Sequence, residues 1–591
     1  MSPSQKRCRR GFQYRPLEPN SFRLLELIPG KSLSADIHCR LRDYQLDSAP
    51  PYEALSYTWG VEESTCRISL NSLPFHIRPN LRDALRRLRQ SSSTRTVWID
   101  AICINQNNED EKGVQVPLMG DIYTRAESVI AWLGEEIFDS GVALDFLPYL
   151  AAVAEFDKES IWLLHLETDK FLRRIMSLVH LFSRSWWKRM WIVQEVALAP
   201  DVLVLCGSRR VPWSIFHSFT TAWMNIGHEP LHWRLNILQR TALRTLGMLV
   251  SGFAEALTRL RQARQMSSSP PELLKLSNLP WSFKYRSVTD PRDKIYGLLG
   301  LLGDHRVQVD YNKPFEDIYL SLVSSFLLED KGLDLFRWMT GEYYETRNSR
   351  LPSWVPDFGS RSITPVSSFL PNQDVGESQR IFMTAGPDWS RSFSAIQFGD
   401  DSRTLILRGC LFDVMISVLL AAQIDRSLAA GKKMAMNTLN RTYHSPHAKE
   451  DAFWRTILTD RQIEGLHFEE NAGWIPAQRL PLDAQYIPPK TTKEEEDLLQ
   501  AMEKRQLCLN SRRFCITKKG HFCLLPPTAS ESDEICVLLG GEVPYVLRRT
   551  DYQSQGTYTM VGECYVHGIM DGEAITDILE GRNKGDISKL R

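Results

Sequence analysis

Glu195 is the residue of this sequence best suited to chemistry. Trp187, Trp191, Glu195 and Leu198 are spaced i, i+4, i+8 and i+11, which on a helix places them on one face. A carboxylate on an aromatic, apolar face sits in a low dielectric, and its pKa rises unless a donor or cation pairs with it. Such a group suits stabilising positive charge that develops at a glycosidic carbon, or holding the hydroxyls of the sugar. Indole faces such as Trp191 and Trp59 suit stacking on a flat heterocycle. In a parallel sheet a ligand lies beyond the carboxyl ends of the strands, and the predicted strand ends carry Ser56, Tyr57, Trp59, Asp100 and Asn105. The candidate site is therefore Glu195 as the catalytic acid, with Ser56, Tyr57, Trp59, Asp100 and Trp191 as substrate-binding residues. A plain structural reading stands beside it. In that reading Glu195 pairs with Arg189 or Arg184, Trp187 and Trp191 are core, and Asp100 caps the turn that follows it.

Other patterns fail on their context. His228-Glu-Pro-Leu-His232 matches a zinc-protease motif that needs both histidines on one face of an unbroken helix, and Pro230 and Gly227 break it. Gly30-Lys-Ser32 ends like a phosphate loop, but Leu25 stands where the first glycine belongs. Gly297, Gly300 and Gly303 lie among leucines and suit close packing rather than a phosphate cradle. Cys508, Cys515, Cys523 and Cys536 lack zinc-ligand spacing and read as thiols at strand positions. No metal site is expected. Asn440-Arg-Thr442 is a glycosylation sequon that matters only in a secreted chain. Asp290, Asp293 and Lys294 read as helix capping and surface pairing.

The elements that must position these residues follow from the hydrophobic pattern. A strand is predicted at Phe22–Ile28. From Pro51 to about Gly207 short apolar runs alternate with helical stretches. Tyr52–Trp59, Thr96–Asp100, Glu127–Leu133 and Val202–Leu205 read as strands. Leu81, Leu85 and Leu88 mark one helix. Val116, Met119, Ile122 and Tyr123 mark another, which Pro117 must start or kink. Ser185–Ala199 reads as a single Trp-rich helix. Strand–helix repetition argues for a parallel sheet with helices on its faces. The segment from about 210 to 330 reads as mostly helical, with helix starts at Asp290 and Pro314. Lys490–Asp497 reads as an exposed linker. After Ser511 the pattern changes to short strands, with a hairpin of Arg513–Thr517 and His521–Leu525. The expected fold class is an α/β N-terminal module, a helical middle region and a small antiparallel β module at the C-terminus. The expected divisions are 1–50 as a leader, 51–207 as the α/β module, 208–410 as the mainly helical region, 411–505 as a mixed helical and linker region, and 506–591 as the β module and tail.

The chain has 591 residues, 43% apolar and 24% charged, an ordinary globular composition. Lys plus Arg and Asp plus Glu both total 71, so the net charge is zero and a broadly basic nucleic-acid binder is not expected. The apolar runs Ala143–Ala154 and Leu411–Ala422 are shorter than the about 20 residues a bilayer needs, and read as core helices. No membrane span and no secretory signal are expected. The 11 cysteines include no CxxC pair and read as reduced thiols of a cytoplasmic chain.

Taken together, several segments resemble the fungal heterokaryon-incompatibility (HET) domain family. They are PYEALSYTWG (51–60), VWIDAICINQ (97–106), MGDIYTRAESVIAWLG (119–134) and SWWKRMWIVQEVALA (185–199), then DPRDKIYGLLGL (290–301), VDYNKPFEDIYL (309–320), LPSWVPDF (351–358), VLLGGEVPYVLR (537–548) and VGECYVHGIMDGEA (561–574). The full-length pattern is similar to the heterokaryon incompatibility protein 6 type. The resemblance implies that 51–207 is a HET domain, and that the protein acts in non-self recognition, driving programmed cell death or growth arrest after unlike hyphae fuse. It also implies a protein partner encoded by an incompatible allele or a linked locus, with a homo-oligomer as a further expectation. The HET domain is in turn remotely similar to TIR domains, some of which hydrolyse NAD. That similarity implies a TIR-like sheet and NAD as substrate, with Glu195 as the acid and Ile192 where the TIR pattern has Cys. No resident cofactor is implied. The alternative is a non-enzymatic signalling or scaffold protein whose HET module binds a partner.

Overall fold

The computed structural model describes residues 12–137, 139–156, 169–225, 236–250, 254, 256–266, 283, 286–302, 307–329, 333, 335–336, 348–359, 396–418, 428–438, 442–457, 459, 512–550, 556–581 and 586–590. The His228–His232 motif, Gly303, Asn440, the Lys490–Asp497 segment and Cys508 lie outside the described residues. The chain divides into two compact units, Met1–Pro314 and Phe315–Arg591.

The first unit is built on a mixed sheet. Its strands are β1 (Ser21–Leu27), β2 (His38–Gln45), β3 (Glu53–Tyr57), β4 (Cys66–Leu70), β5 (Leu73–Ile77), β6 (Arg95–Trp98), β7 (Ser128–Trp132), β8 (Val202–Cys206) and β9 (Arg209–Pro212), in the order β5-β4-β2-β1-β6-β3-β7-β8-β9. Only the centre, β6-β3-β7-β8, and the β2–β4 contact are parallel. The expectation of a parallel sheet holds at the centre and is corrected at both flanks, where β1 joins β6 and β9 joins β8 antiparallel. β1 lies beside β6 in the middle of the order, so residues before 50 are part of the sheet.

The helices of this unit are α1 (Pro79–Leu88), α2 (Asp100–Cys103), α3 (Glu109–Arg125), α4 (Ser140–Phe156), α5 (Asp169–Phe182), α6 (Ile192–Ala197), α7 (Trp213–Asn225), α8 (Ile237–Leu249), α9 (Ala256–Met266), α10 (Asp293–Tyr296) and α11 (Leu299–Leu302). α1 buries Leu81, Ala84, Leu85 and Leu88, the stripe its spacing predicts, and opens on Pro79. α3 is capped by the Asn108 side chain, which accepts from the Glu111 N–H, and three acids in its first turn complement the helix dipole. Pro117 lies inside α3, not at its start. Ser185–Ala199 is not one helix. Ser185–Lys188 forms a 3-10 turn, Arg189 is extended at φ −71° and ψ 140°, and α6 starts only at Ile192. The backbone of Arg189 bridges instead to Ser287.

α3 and α11 cross at two glycines. A Cβ on Gly120 would lie 2.9 Å from the Gly300 Cα, and one on Gly300 would meet the Gln194 side chain and, at 2.8 Å, the Gly120 Cα. The glycine spacing therefore serves close packing, as its sequence context suggests.

The second unit holds α12 (Phe315–Glu329), α13 (Leu428–Asn437), α14 (Pro446–Ile457) and α15 (Glu573–Leu579). Its strands are β10 (Gln397–Phe398), β11 (Leu405–Val418), β12 (Arg513–Thr517), β13 (Phe522–Leu525), β14 (Glu534–Leu538), β15 (Tyr545–Arg549), β16 (Thr557–Glu563), β17 (Tyr565–Val566) and β18 (Asp586–Leu590). The path β14-β15-β16-β18-β11 returns from β11 to β14, closing a small barrel. Its pairings are antiparallel except β16 with β18. Cys410, Cys515, Cys523 and Cys564 pack with Phe412, Met415 and aliphatic side chains in its core. β11 corrects the core-helix reading of Leu411–Ala422 as far as Val418. An apolar run of this length fits either element, and here β-branched residues and a bulge at Asp413, whose carboxylate accepts from the Val414 and Lys519 N–H groups, set it as a strand. The mainly helical reading of 208–410 holds for α7 to α12, and β9, β10 and the start of β11 interrupt it. Among the described residues, no helix is long and apolar enough to cross a membrane.

Candidate functional site

The register of the parallel centre fixes which side chains share a face. Ala54 lies beside Trp98 and Ser56 beside Ala131, so Ser56 and Trp98 project from the same side of the sheet. On that side α6 brings Glu195. Its Oε2 accepts from the Ser56 hydroxyl and from Arg189 Nη1 at 3.3 Å. The indole of Trp186 donates to Ser56 Oγ at 2.8 Å. Glu195 is 2% exposed and Arg189 16%. Asp100 follows β6 and opens α2. Its carboxylate accepts from the Trp59 indole at 2.9 Å and from the Ala101 N–H at 2.7 Å. The Asp100 carboxylate thus serves the turn that follows β6, as the plain structural reading has it, and also holds the Trp59 indole.

Three supports hold these groups. Arg261 of α9 donates to the carbonyls of Val196 and Ala199, both at 2.6 Å, and of Pro200 at 2.9 Å, capping the end of α6. Gln194 donates to the Tyr296 carbonyl at 3.2 Å and accepts from the Gly300 N–H at 2.9 Å, tying α6 to α10 and α11. Buried Arg23 of β1 holds Glu111, which also accepts from the Asn105 N–H at 2.8 Å and so fixes the loop after α2.

Burial raises the Glu195 pKa, while Arg189 and the Ser56 hydrogen bond pull it down and Asp100 adds to the rise. Burial also raises Asp100, against the opposing pull of Arg189 and the Trp59 and Ala101 N–H groups. Burial works against the charge of Arg189, yet Glu195 and Asp100 outweigh it and hold the guanidinium protonated. Two acids thus share one base. A carboxylate in such surroundings stabilises developing positive charge strongly, because little water screens it.

Not every expected residue joins this cluster. Ser56, Asp100, Trp59 and Glu195 come together, and Tyr57, buried, lies within reach of the charges of Asp100 and Arg189. Trp59 also lies under the guanidinium of Arg78, 5.5 Å from the ring centre. Trp191 turns away, its indole donating to Asp293 at 3.2 Å. Trp187 is core, with Phe182, Trp213 and Phe216 around it. Arg184 does not pair with Glu195; it donates to the carbonyls of Leu133 and Glu135. Trp186 falls on the wrong face of the helix that the sequence predicts, and only the 3-10 turn brings it to Ser56. Among the described residues, no group of three or more His, Cys, Asp or Glu could hold a metal ion.

The DPRDK segment is more buried than its polarity suggests. Asp290 pairs with Arg292 at 2.6 Å and accepts from its N–H, as a cap does. Lys294 is buried, its ammonium donating to the Arg286 carbonyl at 2.6 Å, which corrects the surface-pairing reading. Asp293 accepts from the Tyr311 hydroxyl at 2.8 Å as well as from Trp191, and burial raises its carboxyl to about 6. The folded state therefore keeps a proton that the unfolded state loses near 3.8. Stability from this group is fully present below that value and is lost as pH rises to about 6. Asp293→Asn is expected to stabilise the protein by about 1–2 kcal/mol at pH 7 and by nothing measurable at pH 3.5. Urea midpoints of the two proteins across that range check this; an equal difference at both ends would refute it.

The geometry defines a class: a mixed α/β domain with buried acids beyond its parallel strands, in one chain with a small β-barrel. Residues 52–195 match the family model "Heterokaryon incompatibility protein (HET)", and residues 491–583 match "Het-6 beta-barrel domain". The chain is similar to "Heterokaryon incompatibility protein 6, OR allele" of Neurospora crassa. The two are 26% identical over 653 aligned positions, covering 93% of this chain and 94% of that relative. No solved structure gives a significant match.

Proposed function

We propose that this protein acts in non-self recognition after unlike hyphae fuse, arresting growth or killing the mixed cell, and that its HET domain delivers the signal by cleaving NAD in the cytoplasm. The gathering of Glu195, Asp100 and Arg189 beyond the carboxyl ends of β3 and β6 carries this reading. In the reaction the C1′–N bond of the nicotinamide riboside breaks and its electron pair passes to the nicotinamide nitrogen, neutralising the pyridinium. Glu195 stabilises the oxocarbenium-like ribose. A water oxygen then bonds C1′, and its proton leaves to solvent. The trigger is a partner protein encoded by an incompatible allele or a linked locus.

The test is Glu195→Gln expressed in a fungal host, with NAD content and cell survival as readouts. The expected result is a fall in NAD consumption of about 10²–10³-fold and loss of killing, with the variant still folded. A folded variant that kills as well as wild type, with NAD depleted by neither, overturns the enzymatic part. That outcome would support a second reading, in which the HET module recruits a partner. The near-complete burial of Glu195, with Oε2 engaged by both Ser56 and Arg189, favours that reading.

A further inference from the structure

A serine hydroxyl has one proton to give, an indole N–H only donates and an ionised carboxylate only accepts. Trp186 donates to Ser56 Oγ at 2.8 Å, and Ser56 bonds Glu195 Oε2. The direction of this chain is therefore fixed, from indole to hydroxyl and from hydroxyl to carboxylate. The Ser56 proton is spent on Glu195, and the side chain is 1% exposed. Ser56 thus has no proton left for a substrate, the role that its place near a strand end suggests. Trp186 is equally buried, and its ring packs edge-on against Trp187 at 4.9 Å, which holds the indole in place.

The two oxygens of Glu195 are not equivalent. Oε2 accepts from Ser56 and, at 3.3 Å, from Arg189 Nη1, which fills both of its lone-pair directions. Oε1 takes no bond among the described residues, and it is not one of the polar atoms that burial seals off unpaired. It is the oxygen left to meet a reacting group. The terminal torsion of a glutamate is soft, and a half-turn about it exchanges the two oxygens. A proton aimed at Oε2 from a fixed hydroxyl opposes that turn, and Gln194 and Arg261 already tie down α6 itself. We propose that Ser56, aimed by Trp186, is a positioning residue that holds Glu195 with Oε1 toward the ribose carbon of NAD. This rests on the reading of Glu195 as the acid of NAD cleavage, and it assigns to Ser56 and Trp186 the part of orienting that acid. The titratable groups whose charge reaches Glu195 are Arg189, Asp100 and, only when ionised, Tyr57 and Tyr123; burial keeps both phenols neutral. With those unchanged, loss of the Ser56 hydrogen bond leaves burial less opposed, and the Glu195 carboxyl holds its proton to higher pH.

The test uses the full chain with Ser56→Ala, Trp186→Phe and the double variant, and it has two readouts. The first is NAD cleavage. Ser56→Ala is expected to lower kcat about 10–100-fold, the worth of one hydrogen bond to a charged group, with KM for NAD unchanged. Trp186→Phe should lower kcat in the same way, and it should cost nothing more in a chain that already carries Ser56→Ala, because the indole acts on Glu195 only through the hydroxyl. The second readout needs no turnover. Infrared difference spectra of the ligand-free protein, each chain read against the same chain with Glu195→Gln, follow the Glu195 carboxyl as it titrates. Its midpoint should lie at higher pH in both single variants than in wild type. An unmoved midpoint in Ser56→Ala overturns the proposal. A raised KM with unchanged kcat also overturns it, since Ser56 would then touch the substrate, as does a double variant in which the two losses simply add. If wild type leaves NAD intact, the reading of the reaction fails by itself. The infrared midpoints then decide the positioning role: a rise in both variants supports it, and no rise overturns it.

Discussion

Arg189→Met should destabilise the first unit by about 3 kcal/mol at pH 7, since breaking a buried pair leaves an uncompensated charge. The Met side chain fills most of the same volume, so the loss is one of charge. Two carboxylates lose their shared cation, and both are already raised by burial. In the variant each rises further, and the folded state takes up protons that the unfolded state does not. Stability of Arg189→Met must then improve as pH falls through the range above the usual carboxylate pKa near 4, and the deficit against wild type should shrink by pH 5. Arg189→Lys should recover only part of the loss, because an ammonium lacks the planar fork. Urea unfolding at pH 5 and pH 7 measures this. A deficit below about 1 kcal/mol at pH 7, or one that grows on acidification, would show that Arg189 does not neutralise these acids.

The second large effect lies in the barrel. Arg512, just before β12, and Glu563, at the end of β16, are both fully buried and paired at 2.7 Å, and Arg512 also reaches the Glu563 carbonyl at 3.2 Å. Removing one partner strands a charge, and Arg512→Met is expected to cost about 3–5 kcal/mol. Replacing both, in Arg512→Met with Glu563→Met, should return most of that stability, since an apolar pair of similar volume often equals a buried ion pair. Full-chain unfolding followed by near-ultraviolet circular dichroism gives the comparison. A double variant no more stable than Arg512→Met would mean that the pair makes other bonds the barrel needs.

Much of the first unit was legible in the sequence because its strands are short apolar runs bounded by turns. Tyr52–Trp59 and Glu127–Leu133 predict β3 and β7, and the Arg513–Leu525 hairpin predicts β12 and β13. Glu195 stood out for a simple reason: acids are rare among tryptophans. Its surroundings were harder to read. A regular helical wheel over Ser185–Ala199 puts Trp191 beside Glu195 and Trp186 elsewhere, but the 3-10 turn and extended Arg189 change the phase, and Trp186 reaches Ser56 while Trp191 reaches Asp293. The burial of Asp293 depends on Tyr311 and on a tryptophan 102 residues away, contacts that no local pattern encodes. β11 was misread for the opposite reason, since its local pattern fits both a helix and a strand and only its partners decide.

Those partners have a consequence for how the protein is made. β11 ends at Val418, and the barrel strands that flank it, β14 and β18, begin at Glu534 and Asp586. At a synthesis rate of about 5–20 residues per second, β11 leaves the ribosome on the order of ten seconds before its last partner exists. Until β12 and β14 are made, a strand of 14 residues, the longest described, has only the two-residue β10 beside it, and the edge that β18 covers stays open longest. Slowing translation between residues 420 and 586 is therefore expected to lower the yield of folded protein without changing a single native contact.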